Sequence, residues 1–272
     1  MSASTDSPRS SGLIRQVVVI SAFCFMIVAA MVGTGLFGGT PVQDLQDGAL
    51  DADGSYLAPA RPAFSIWTVI YVGLFAYTLW QALPGQRERE RQRSLGWLIA
   101  ATMVLNGVWL VCAQFGSLPL TVLAIVVLVA VLGVTFRRTV QDPGRGLADA
   151  LLIDGVTGLH LGWVTLATVA NTAAWLTRIA PESWADAATA WGIAVLVVVV
   201  LVGVAIAWAS GWRIAPGLAM AWGLTWIGVG RLAFEPSNAT LGIAAIVAAA
   251  IVILVPLAGT ALRRSEEVRN AE

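Results

Sequence analysis

The sequence predicts an all-α protein, a polytopic membrane helical bundle of about eight transmembrane helices. Three observations carry that expectation. Of 272 residues, 58% are hydrophobic and 12% charged, against about 25% charged in a soluble domain. The apolar residues fall into eight runs, each near the ~20 residues a bilayer-spanning helix needs. The sixteen basic residues are all arginine and gather in alternate connections between the runs. This composition excludes a water-soluble enzyme and a disordered chain. A formal net charge of zero speaks against a nucleic-acid partner.

The runs cover residues 17–38, 63–83, 95–115, 119–136, 151–176, 187–209, 215–234 and 239–262. The first exceeds the roughly 7–15 apolar residues of a signal peptide and has no small-residue cleavage site after it. It therefore reads as a retained helix. The seventh is the weakest, being rich in glycine and holding Arg231. Thirteen of the sixteen arginines fall on the side of the N-terminus, which places that side in the cytoplasm. Arg61, Arg178 and Arg231 fall on the other side. An even helix count returns the C-terminus to the cytoplasm, as expected for an integral protein of a bacterial plasma membrane.

Between the runs, residues 39–62 carry Asp44, Asp47, Asp51 and Asp53. This acidic loop reads as a solvated surface, with a lid or a partner face as the alternative. Residues 86–93 alternate arginine with glutamate or glutamine, as a solvated helix end does. Residues 1–14 and 264–272 are polar and are expected to be disordered cytoplasmic tails. Arg231 is expected to pair with Glu235 one helical turn on or to snorkel. The alternative is a contact with an anionic group of a ligand. Asp154 reads as interfacial.

Polar residues inside the spans are the informative ones, because a bilayer offers them no partner. At 100° per residue, Phe64, Trp67, Tyr71 and Thr78 share one side of the second helix. Thr102, Asn106, Trp109 and Ala113 share one side of the third. His160, Trp163, Ala167, Thr168 and Asn171 form a stripe on the fifth, with Gly155, Gly158 and Gly162 roughly opposite. The glycine stripe permits close approach of a neighbouring backbone. The aromatic and amide residues of three helices can instead meet at one depth, as the walls of a small-molecule pocket or as packing. Trp80, Trp97, Trp175, Trp184, Trp191, Trp208 and Trp212 read as interface anchors. Cys24 and Cys112 read as buried apolar residues, and one histidine with two cysteines makes no closed zinc site. His160 reads first as a hydrogen-bonded core residue and second as a ligand.

These residues carry a resemblance. Trp163-Val-Thr-Leu-Ala167-Thr168-Val-Ala-Asn171-Thr-Ala-Ala-Trp175 resembles the fifth-helix signature of the TspO/MBR family, the tryptophan-rich sensory proteins and mitochondrial translocator proteins. Leu105-Asn106-Gly-Val-Trp109 and Trp67-Thr-Val-Ile-Tyr71 resemble its third- and second-helix motifs, in the family's order. The resemblance covers residues 15–178 and implies a five-helix bundle, with residues 179–263 a three-helix membrane extension. It implies a ligand site at Trp67, Tyr71, Asn106, Trp109, Trp163, Ala167 and Asn171, closed by the loop between the first two helices. His160, beside these on the fifth-helix stripe, is added as an eighth site residue. The resemblance also implies a homodimer and a porphyrin ligand. The family's W-x-P-P run appears only as Ala58-Pro59-Ala60-Arg61-Pro62. Leu159-His160 stands where the family usually has Pro-Tyr. The sterol-type pattern after the fifth helix is absent.

The function expected is therefore binding of a planar hydrophobic molecule, a porphyrin or other tetrapyrrole, for sensing or transport, with no cofactor required. The alternatives are photo-oxidative porphyrin breakdown, small-molecule transport, and a scaffold without a ligand. No triad, metal cluster or nucleotide loop points to conventional catalysis.

Overall fold

The computed structural model describes residues 8–270, which fold into eight long helices with no strand among them. They are α1 (Pro8–Gly33), α2 (Ile66–Ala82), α3 (Glu90–Phe115), α4 (Leu118–Gln141), α5 (Val156–Ile179), α6 (Ala188–Ala209), α7 (Ile214–Ala233) and α8 (Ala239–Arg269). A single π-helical turn, Asp149–Gly155, leads into α5. All eight expected runs are helical. Seven helices are long and apolar enough to cross a membrane, α7 being the exception, and the chain is an integral membrane protein.

The reason α7 reads as the weakest span is where it sits. Half of its twenty residues are buried, among them Gly217, Met220, Leu224 and Arg231. It packs between α5 and α8, so protein rather than lipid surrounds much of it and its composition need not be lipophilic. At 1.5 Å per residue it still reaches about 30 Å, the thickness of the hydrocarbon core.

Successive neighbours make one connected bundle: α1 on α3, α3 on α4, α4 on α5, α5 on α7, α7 on α8 and α8 on α6. The α5–α7 contact joins the first five helices to the last three. There the expected glycine stripe finds its neighbour. A Cβ on Gly158 would lie 2.8 Å from Ala215 Cβ, and one on Gly162 would collide with the backbone of Pro216. Gly155 stays within its own helix, facing Ala150. On the far side of α7, a Cβ on Gly217 would lie 2.5 Å from the Val252 carbonyl. Pro256 of α8 has no N–H to occupy that carbonyl, so the two helices close on each other there.

Both ends of the described chain lie at one end of the bundle, termed here the terminus end. Arg15 donates to the carbonyls of Gln86 (3.0 Å) and Arg87 (3.4 Å), and Gln16 to that of Gln81 (2.7 Å). Arg263 donates to the Gly211 carbonyl (3.2 Å). The expectation of disordered tails is corrected in part. Residues 8–14 and 264–269 are helical, while 1–7 and 271–272 lie outside the described residues. Polar composition misled because these turns continue helices already nucleated, which costs far less than starting one. An Arg263–Glu267 pair one turn apart (3.7 Å) adds to α8.

The stretch 86–93 is a solvated helix end only in part, with Glu88, Glu90 and Arg93 exposed. Arg91 is 6% exposed and pairs with Asp154 and with Asp149 (3.4 Å). Arg89 pairs with Asp149 at 2.7 Å, and Arg213 with Asp154 at 3.3 Å. Three arginines from α3, its N-terminal flank and the α6–α7 connection thus close on two aspartates of the π-helical turn. Asp154 is no isolated interfacial residue but the centre of this cluster.

Candidate functional site

Trp67, on α2, is the hub of an aromatic cluster near the opposite, loop end of the bundle. It stacks on Tyr71 (ring centroids 5.2 Å apart, 28° between planes) and on Trp109 of α3 (6.3 Å, 27°). It meets His160 (5.9 Å) and Trp163 (6.0 Å) of α5 edge to face. Phe64 packs edge-on against Trp163 at 6.0 Å. The stripes on three helices therefore converge, each turning its rings into a shared core.

The amides tie the rings together. Asn106 Nδ2 donates to Tyr71 Oη at 3.0 Å. Trp109 Nε1 donates to Asn171 Oδ1 at 3.3 Å, and Asn171 Nδ2 donates to the Ala167 carbonyl at 2.8 Å. All eight residues singled out from sequence belong to this assembly: Trp67, Tyr71, Asn106, Trp109, His160, Trp163, Ala167 and Asn171. Thr168 of the α5 stripe does not. Its hydroxyl bonds back to Val164 (2.8 Å), and its side chain lines a groove elsewhere on the helix.

Asn106 Oδ1, His160 Nε2 and Trp163 Nε1 are buried without a hydrogen-bond partner. His160 is thus not the hydrogen-bonded core residue first expected at that nitrogen. Leaving such groups unmet costs about 1–3 kcal/mol each, so three around one tryptophan is a concentration that packing alone does not call for. The space beside them is small. A cavity of about 40 Å³ lies between Phe64, Trp163, Ala167 and Asn171 and the loop residues Val42, Ala49, Ala58 and Pro59. Small-molecule pockets run to about 300–1,000 Å³. A ligand larger than a few atoms reaches the rings only if the loop lifts or the rings turn.

The acidic 39–62 loop lies over this cavity, and several bonds hold it. Asp51 accepts two hydrogen bonds from Arg61 (3.0 and 2.6 Å) and one from the Ala52 amide (2.7 Å). The Arg61 bond, with help from that amide, holds the Asp51 carboxyl below its usual range against partial burial. Gln46, Asp47 and Gly48 all have φ between 54° and 72°, a left-handed run that turns the carbonyls of Gln46 and Asp47 toward Arg178 (3.2 and 2.6 Å).

Further holds come from α7. Arg231, 1% exposed, donates to the carbonyls of Ser55 (3.2 Å) and Ala52 (2.7 Å). Trp226 O accepts from the Ala60 amide (3.1 Å), and Trp222 Nε1 donates to Ala63 O (2.9 Å). The expected Arg231–Glu235 pair does not form. Glu235 accepts from the Ser237 amide (2.9 Å), while Arg231 turns inward to the loop. Sequence reading missed this role for Trp222, Trp226 and Arg231, whose only signal was a cation inside a span.

Among the described residues no group of histidine, cysteine, aspartate and glutamate is arranged to hold a metal. What the site offers chemically is flat apolar surface edged by amide, indole and imidazole groups.

Neither the curated proteins nor the solved structures give a match to this chain. A family model described as TSPO-like protein matches residues 15–258, running past the 15–178 core of the resemblance and through α6 and α7 into α8. With that match spanning nearly all of the chain, and the tryptophan and asparagine motifs gathered at one site, the protein belongs to the TSPO-like protein family.

Proposed function

We propose that this protein binds a planar, hydrophobic small molecule of the tetrapyrrole class at the Trp67 cluster, for sensing or transport across or within a bacterial plasma membrane, with both chain ends cytoplasmic. The observation that carries the reading is the set of three unpartnered polar atoms, Asn106 Oδ1, His160 Nε2 and Trp163 Nε1, around a stack of aromatic rings. A porphyrin has an extended π-face and a polar edge, which suits both. Each ring it stacks on is worth about 0.5–1.5 kcal/mol beyond area burial. The loop is the barrier to access, and its bonds to α7 and Arg178 set how readily it lifts.

Titration of the purified protein with protoporphyrin, followed by quenching of tryptophan fluorescence, tests this. Trp67→Ala and Asn106→Ala are each expected to weaken binding about tenfold, equivalent to ~1.4 kcal/mol. Unchanged affinity in both variants rejects the site.

A further inference from the structure

A second concavity lies on the other flank of α5. Helix α4 packs on α5 and α6 packs on α8, which leaves a slot between α4 and α6 with α5 as its floor. Its volume is about 530 Å³, and it is lined by residues between 129 and 140 of α4, 161 and 169 of α5, and 202 and 209 of α6 together with Ser210 just beyond it. Over that stretch of α4 it runs roughly 16 Å along the helix, from mid-bundle to the terminus end.

The lining is largely apolar, and the donors of its hydroxyl groups are already used. Thr165 and Thr168 donate to Leu161 O and Val164 O at 2.8 Å each. Ser210 donates to Ala207 O at 3.1 Å and accepts from the Arg213 amide at 3.3 Å. A ligand acceptor would find no free donor along the floor, since both hydroxyls spend their hydrogen on their own helix. Hydrocarbon would lose nothing there, and a bilayer supplies it. The one charged residue of the lining is Arg137, at the terminus end, four residues before α4 stops. Arg137 is exposed, and no ion pair or hydrogen bond occupies it among the described residues. A guanidinium at that level meets the headgroup zone.

We infer that this slot is a phospholipid site. An acyl chain lies over α5 between α4 and α6, and the anionic phosphate group engages Arg137. The site is separate from the Trp67 cluster and does not depend on its ligand.

Native mass spectrometry of the full chain, offered equal amounts of dioleoyl phosphatidylglycerol and dioleoyl phosphatidylcholine, tests it. The parent is expected to retain phosphatidylglycerol roughly fivefold over phosphatidylcholine, the scale of one arginine near an anionic surface. Arg137→Gln is expected to bring the two within twofold. Gly133→Leu, at a position where an added Cβ meets nothing within 4 Å, is expected to fill the slot and lower retention of both. A parent that keeps both lipids equally, or an Arg137→Gln variant with undiminished preference, overturns the proposal. So does a dimer peak that Gly133→Leu abolishes, because the slot then belongs to a second copy of the chain. Should Gly133→Leu fail to fold, the surface variant Arg137→Gln decides alone.

Discussion

His160 is 1% exposed and its Nε2 has no partner, which makes it a test of whether the cluster exists for packing or for a ligand. Phenylalanine has a similar shape and removes the unmet nitrogen. His160→Phe is therefore expected to raise stability by about 1–2 kcal/mol, part of the penalty for an unsatisfied buried group. The same change is expected to weaken protoporphyrin quenching. Higher stability with unaltered binding would assign His160 to the core alone. A second residue-scale prediction concerns Asp51, whose carboxyl is held below its usual range by Arg61. Because the folded value is the lower one, the clamp contributes fully above the unfolded pKa of about 3.9. It fades as pH falls through the folded value. Hydrogen exchange in residues 50–60, taken as a ratio to Asp51→Asn at each pH, is expected to favour the parent from pH 5 to 7. That advantage should shrink progressively as pH falls below the unfolded value. A ratio that does not move with pH would remove Asp51 as the loop's clamp.

Among the elements, α5 has two working faces: one presents His160, Trp163 and Asn171 to the rings, and the other presents Gly158 and Gly162 to α7. Helical periodicity made both faces legible, since a 100° turn per residue sorts side chains without knowledge of the fold. It did not say which helix would fill the glycine face, because small residues admit any backbone. The prediction follows from what a Cβ would meet. At Gly162 the obstacle is the Pro216 backbone, which cannot rotate aside; at Gly155 it is the Ala150 carbonyl at 3.2 Å. Gly162→Ala is expected to cost about 1–3 kcal/mol by overpacking. Gly155→Ala should stay within about 1 kcal/mol of the parent, since alanine also favours the helix. Thermal melting in detergent separates the two, and equal melting points would mean that α5 and α7 do not meet closely.

Across the whole molecule, the last three helices are tied to the first five at both ends as well as along α5. At the loop end the tie is Arg231, Trp222 and Trp226 on the 39–63 segment. At the terminus end it is the arginine–aspartate cluster centred on Asp154. Neither tie was legible in the sequence. An arginine beside an apolar run follows the same topology rule whether it is solvated or paired. The partners stand far apart in the chain, Arg91 and Asp154 by 63 residues and Arg231 and Ser55 by 176. Seven of the spans were legible because hydrocarbon demands a long apolar run from each, and α7 was the weakest because protein covers much of it. Asp154 is the residue on which the terminus-end tie turns, since its carboxylate faces both Arg91 and Arg213. Asp154→Asn keeps the shape and removes the charge, leaving Arg91 with Asp149 and Arg213 with its bonds to Thr139. Breaking a buried pair costs about 3–5 kcal/mol. With Asp154 16% and Arg213 23% exposed, the lower end, about 3 kcal/mol, is expected. The double variant Asp154→Asn with Arg213→Gln removes the stranded cation and should recover part of the loss, a coupling of roughly 1 kcal/mol in the double-mutant cycle. If the two losses simply add, Asp154 and Arg213 act independently, and the terminus-end tie rests instead on the bonds that Arg213 donates to Thr139 of α4 (2.9 and 3.0 Å).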